Sequence, residues 1–422
     1  MAIKRRIYKC SLWLFENFFW LTTISALLGL MFGFKQYLIS ALLPSAYIAC
    51  ALISIKKIRF NIFDAFVFAI LIDDVVSWVI NTYPYRFTLA FRHILGPVAY
   101  MMVYFIGRTL PIERVYSVFE RSMLPALLVS IVGIYCFFFP PSWYYGTMSD
   151  GLYAGLEALR LHSIFSSPYQ LAYMLAFLLS YILFRIFQYD ESWKLYRWYV
   201  IVFVITMAFC MMRAPMAGVL IALTMSLLYT SIVRGKVKVM LYGIGGILIV
   251  CGILLVVIKS TNAEYVDFLI GKFDFLSGED DDFVERRYDL MEAKVSIWGD
   301  GAGRHNIWAD DYVLGTSLRD GEYQKLLQEV GIVGRSLYVC FFVFAILKCM
   351  INYRSLLFEF SVISFLLISM IGACPLSTVD KSPMLFWLVI GRVGAFKTPL
   401  KKSLYSIERV DDAHICENGS QN

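Results

Sequence analysis

The chain has 422 residues, of which 59% are hydrophobic, 17% aromatic and only 17% charged. A soluble protein carries nearer a quarter charged residues, so a water-surrounded globule is excluded and the surplus apolar surface must face lipid. The formal net charge of +6 then reports on orientation across a bilayer, and no nucleic acid partner is expected.

From the N-terminus, the basic start MAIKRRIYKC runs into an apolar stretch from Ser11 to about Gly33 with no small-residue cleavage site. It reads as a retained first span rather than a cleaved signal. Further apolar runs, each about long enough for a hydrocarbon core of ~30 Å, lie near 37–55, 60–80, 88–107, 122–140, 165–187, 197–212, 214–233, 239–258, 329–350, 356–373 and 383–396. The expected fold is all-α, a polytopic integral membrane protein of about twelve transmembrane helices over 1–396, with a polar tail at 397–422. Basic residues cluster on alternate loops. Lys4, Arg5, Arg6 and Lys9 precede the first span, Lys56, Lys57 and Arg59 follow the second, and Arg108, Arg114 and Arg121 follow the fourth. The opposite short loops carry one base each: Lys35, Arg86, Arg160, Arg213 and Lys381. By the positive-inside rule both termini are cytoplasmic.

Two outer segments are longer. Pro140 to about Ile164 is rich in Tyr and Gly, and about 259–327 is an acidic loop. In the second, FVERRYDLMEAKVSIW has the pattern of an amphipathic helix, with Phe283, Leu290, Met291 and Ile297 on one side. GDGAG then breaks the chain, and LRDGEYQKLLQEVGIVG, Leu318 to Gly334, leads back into the bilayer.

An ionisable group within hydrocarbon costs at least about 2.5 kcal/mol, so each one is a candidate for function. Arg213, between two apolar runs, is either a fixed cation at the outer surface or an arginine snorkelling at a helix end. Asp73 and Asp74, in the outer half of the third span, have Arg92 and His93 of the fourth as partners by position. Glu16 sits within reach of the cytoplasmic interface. Arg286 and Arg287 are either a fork for phosphate or a solvated face. Lys325, Glu329 and Arg319 read as a solvated rim. GDGAG follows no strand and lacks dinucleotide spacing. His93, His162, His305 and His414 lie in separate segments, so neither a metal site nor a cofactor is expected.

Four stretches resemble the bacterial O-antigen polymerase/O-antigen ligase superfamily: RLHSIFSSPYQLAYML from Arg160, MMRAPMAGVLIAL around Arg213, RYDLMEAKVSIWGDGAG from Arg287, and DGEYQKLLQEVGIVG ending Gly-x-x-Gly. Ligases of that family place a His-Asn pair about a dozen residues before the first Gly of that last motif; Asp320-Gly321 stands here, and His305-Asn306 comes earlier. The likeness therefore favours the polymerase branch.

The resemblance implies a multi-pass protein of the bacterial inner membrane with its long loop in the periplasm. It implies a glycosyltransferase that passes a growing glycan from undecaprenyl diphosphate to a second lipid-linked repeat unit. The undecaprenyl-diphosphate-linked oligosaccharide and the lipid bilayer are the implied partners, with a chain-length regulator alongside. Arg213, Arg287 (with Arg286 as its alternative) and Arg160 would hold the diphosphate. Asp320, or next to it Glu322, would take the proton of the attacking sugar hydroxyl, and Tyr323 would contact sugar. Three rivals stand beside this reading. They are an O-antigen ligase acting on lipid A core, a glycosyltransferase using a lipid-monophosphate sugar, and a lipid-linked glycan transporter or flippase, for which Asp73, Asp74 and Arg92 would line a path.

Overall fold

A computed structural model describes residues 2–32, 37–83, 85–141, 143, 161–165, 168–210, 212–235, 245, 296–305, 321–372, 374–376 and 382–396. All regular structure among them is helical. In chain order the helices are α1 (Ala2–Glu16), α2 (Phe18–Phe32), α3 (Tyr37–Ile55), α4 (Ile62–Ile80), α5 (Arg86–His93), α6 (Ala99–Thr109), α7 (Ile112–Phe138), α8 (Pro168–Tyr189), α9 (Trp193–Cys210), α10 (Arg213–Arg234), α11 (Glu322–Ile351), α12 (Leu357–Gly372) and α13 (Ser382–Ala395).

Among the described residues six helical stretches are long and apolar enough to cross a membrane, Arg86–Thr109, Ile112–Phe138, Pro168–Tyr189, Trp193–Cys210, Ala214–Arg234 and Glu322–Ile351, and the bent pair Arg6–Glu16 and Phe18–Leu30 would make a seventh. Lipid also explains why large apolar side chains such as Trp13, Phe60, Ile72, Val79, Ile232 and Ile371 point outward from the bundle. The described residues form an all-helical bundle whose apolar helices are those of a membrane protein. The expected spans 37–55, 60–80, 356–373 and 383–396 coincide with α3, α4, α12 and α13; α12 and α13 are shorter than those six, and α4 carries three aspartates. Apart from Gly245 and Ser296, the expected span at 239–258, the amphipathic segment before Ile297 and the tail at 397–422 lie outside the described residues.

The first span is not straight, as hydropathy alone would have it. Between α1 and α2 the axis turns by 70° at Asn17, whose side-chain amide donates to the Trp13 carbonyl at 2.8 Å. The buried Glu16 sits at this bend, 3.4 Å from Arg114 and 3.5 Å from Arg121 on α7. Between α5 and α6, Ile94–Val98 forms a π-helical turn around Pro97, which has no N–H to give to the ordinary ladder. The core is dense in aromatics, with Phe119, Tyr181, Phe184 and Phe358 packed ring to ring. α6 and α13 cross where Gly107 and Gly391 face each other: an added Cβ on Gly107 would run into the Leu388 carbonyl, and one on Gly391 into that of Tyr104. Small residues let transmembrane helices approach this closely.

Candidate functional site at a broken helix

α11 enters the bundle at Glu322 and is interrupted at Gly331, whose φ of 69° and ψ of −164° belong to a region open in practice only to glycine. A helix broken inside a membrane protein leaves main-chain groups that need partners. Here the segment 296–305 supplies them. Ile332 and Val333 donate to the carbonyls of Ser296 and Ile297 at 3.2 and 3.3 Å, while Asp300 and Gly301 donate to those of Gln328 and Glu329 at 2.6 and 3.1 Å. The segment is laced into the break on both sides.

The GDGAG motif is what makes this fit possible. Gly299, Gly301 and Gly303 all have positive φ (68°, 120° and 82°), and each lies against a neighbour that a side chain would strike. A Cβ on Gly299 would meet the main chain of Glu329, one on Gly301 the Tyr83 ring at 2.5 Å, and one on Gly303 the Cβ of His93 at 3.0 Å. Tyr83 closes the seat by donating its hydroxyl to the Ala302 carbonyl at 3.1 Å, with the Arg304 guanidinium 5.7 Å from its ring centre. Burial and the Glu329 carboxylate push the Tyr83 phenol up to about 12, against the pull of Arg304 and Arg86. It therefore stays a donor throughout the neutral range. The second glycine of Gly-x-x-Gly has its own reason: a Cβ on Gly334 would collide with the Asp73 carboxylate.

Titratable groups gather around this seat. Glu329 is the hub: its side chain accepts the His305 backbone N–H at 2.9 Å, and its carbonyl accepts both Gly301 N–H and the Ser77 hydroxyl, the latter at 2.6 Å. His93 Nε2 lies 3.5 Å from Asp74, and His305 Nε2 lies 3.4 Å from Asp300. Asp73 is 4% exposed and neither of its oxygens has a hydrogen-bond partner. Of the two His–Asp pairs, Asp300 opens one to the outside, with 45% of its side chain accessible, whereas Asp74 and His93 are buried. At its rim the site sets an imidazole beside an accessible carboxylate.

A second pairing lies at the same end of the bundle. The Leu161 N–H donates to the Phe209 carbonyl at 3.0 Å, and the Ser163 hydroxyl donates to the Val129 carbonyl at 2.7 Å. Leu161 follows Arg160 in sequence, and Phe209 comes four residues before Arg213, which opens α10. A helix N-terminus favours anions through its free N–H groups and dipole. Arg160, Arg286, Arg287 and Asp320 lie outside the described residues, as does the side chain of Arg213.

Glu322 and Tyr323 are described, and both are tied to neighbouring main chain. Glu322 is buried and accepts the Leu376 N–H at 2.9 Å, and Tyr323 donates to the Leu367 carbonyl at 3.3 Å. Of the expected partnership of Asp73 and Asp74 with the next helix, the described residues show Asp74 with His93, while Asp73 has no hydrogen-bond partner. The reading of Lys325 and Glu329 as a solvated rim is overturned: they are 1% and 3% exposed. Spacing carried that signal, because Glu322, Lys325, Leu326, Glu329 and Val330 fall at i, i+3, i+4, i+7 and i+8, one face of a helix. Comparison of the chain with protein-family models, curated proteins and solved structures finds no match.

Proposed function

We propose that this protein is a polysaccharide polymerase of the O-antigen type, working at the periplasmic face of the bacterial inner membrane with both termini in the cytoplasm. One observation supports it above others. The last two of the four stretches that carry the family resemblance hydrogen-bond to each other at the break in α11, and the first bonds to Phe209, just ahead of the second.

In this reading a hydroxyl oxygen of the acceptor repeat unit attacks C1 of the donor's reducing-end sugar. The bond from C1 to the diphosphate oxygen breaks, and undecaprenyl diphosphate departs with the electron pair. Negative charge builds on the leaving oxygens, where fixed cations aimed at the developing charge lower the barrier most. Arg213, Arg287 or Arg286, and Arg160 serve that role, each permanently charged and able to give two parallel bonds to phosphate. The hydroxyl proton goes to a carboxylate. Asp320 is the first choice because Glu322 is buried and already engaged with the Leu376 N–H.

The test is purified protein with a synthetic undecaprenyl-diphosphate repeat unit. A ladder of polymer is expected, and Arg213→Ala or Arg287→Ala is expected to abolish it while leaving the protein folded in the membrane. Full-length ladders from both variants would overturn the phosphate clamp. A second reading, the ligase, is favoured by one feature: the buried His305 lies 3.4 Å from Asp300, whose side chain is accessible. It predicts glycan transferred to a lipid A core acceptor and lost in His305→Ala, with no polymer formed from repeat units alone.

A further inference from the structure

Past the break, α11 runs from Ile332 to Ile351, twenty residues, and so measures about 30 Å, the thickness of a hydrocarbon core. The break therefore lies at one edge of the hydrocarbon, and Arg335 lies about one turn inside it. Arg335 is half-buried, and no carboxylate or hydrogen-bond acceptor takes its guanidinium among the described residues. Lys348, one turn from the opposite end of the same span, differs: its ammonium rests 4.9 Å from the centre of the Phe63 ring. Arg335 borders an open groove of about 410 Å³ lined by Leu327, Ile332, Ser336, Val339 and Cys340. That volume is within the range of about 300–1,000 Å³ usual for ligand clefts. Ile332 and Val339 on its wall are 50% and 39% exposed.

We propose that this groove is a binding site for one anionic phospholipid of the leaflet that meets the helix break. Its phosphate is held by Arg335 and one acyl chain lies along Ile332, Val339 and Cys340. The lining argues for net negative charge in the head group. A guanidinium offers a two-pronged match to phosphate, and no acidic residue in the groove would receive the ammonium of a zwitterionic lipid. The position matters because the occupied groove would lie on the outer face of the span that carries Gly331 and Glu329, bracing the helix where its own hydrogen bonds are interrupted. The proposal is independent of the polymerase reading, since any function of the broken helix would use the same support.

The experiment is native mass spectrometry of the full chain released from nanodiscs containing phosphatidylglycerol and phosphatidylcholine. The wild-type protein is expected to retain one phosphatidylglycerol more than Arg335→Gln does, and to show no matching retention of phosphatidylcholine. Val339→Trp, which fills the groove and leaves Arg335 in place, is expected to lose the same lipid. Arg335→Lys is expected to hold it at reduced occupancy. Equal phosphatidylglycerol retention by wild type and Arg335→Gln overturns the proposal, leaving an arginine that only snorkels to the bulk head groups. Undiminished retention by Val339→Trp overturns it as well, because the lipid is then bound elsewhere.

Discussion

Asp64 and Asp73 lie on the same helix, both buried. At one end of α4 the Asp64 carboxylate receives four hydrogen bonds, two from Arg108, one from Tyr104 and one from the Asn61 backbone, all at 2.8–2.9 Å. At the other end Asp73 receives none. The contrast extends around both ends of the bundle. Beside Asp64, Glu359 has Arg392 at 3.1 Å and Glu16 has two arginines, each a carboxylate matched by a permanent cation. Around Asp73, Asp74 has a histidine at 3.5 Å, and Glu322 and Glu329 accept main-chain N–H groups. Buried charges that are fully matched hold helices in register. A buried carboxylate without such a partner, as Asp73 is, is a candidate for taking protons or ligands.

The sharpest way to break this comparison is at the matched end. Asp64→Asn leaves Arg108 buried against a neutral amide and is expected to destabilise by about 3–5 kcal/mol, the usual cost of removing one partner of a buried pair. A thiol-reactive dye followed on heating reads the loss, because Cys50, Cys136, Cys210, Cys349 and Cys374 are buried until the bundle opens. Next comes Gly331→Ala. It forces an alanine into a glycine-only conformation and drives its Cβ at the Ile297 carbonyl, together about 2–4 kcal/mol. Before the bundle melts, the 296–305 segment should become cleavable by added protease, since its main-chain seat is the first thing lost. Ser77→Ala is milder. The Glu329 carbonyl keeps the Gly301 N–H, so the missing hydroxyl costs about 1 kcal/mol by the same dye.

Much of the scaffold was legible in the sequence because lipid imposes a local rule: a run of about twenty apolar residues must become a helix. The charged ends were legible in part, in that GDGAG announced a break in the chain. The partner of that break was not legible, since the contacts of Gly299 with Glu329, Gly301 with Tyr83 and Gly303 with His93 join segments remote in sequence. The 70° bend at Asn17 and the π-turn at Pro97 were hidden for a different reason: one polar side chain and one missing N–H redirect a helix without altering its hydropathy. Glu329 and Lys325 were misread because charge was weighed before periodicity. On α11 the apolar and charged residues share a single buried face.

The smallest expected effect is also the most informative. Asp73→Asn removes a charge from a site where the carboxylate has no hydrogen-bond partner, next in sequence to a second aspartate and packed on Gly334. The structural cost of the substitution is therefore expected to stay within about 0.5 kcal/mol, whereas the same change at Asp64 costs several. A buried carboxylate that can be neutralised without loss of stability is present for some reason other than holding the fold. Dye melting of the two Asp→Asn variants side by side makes the measurement, and a loss at Asp73 as large as that at Asp64 would erase the distinction between the two ends. If stability is retained and ladder synthesis from lipid-linked repeat units falls, the unmatched end of α4 belongs to the reaction along with the broken helix beside it.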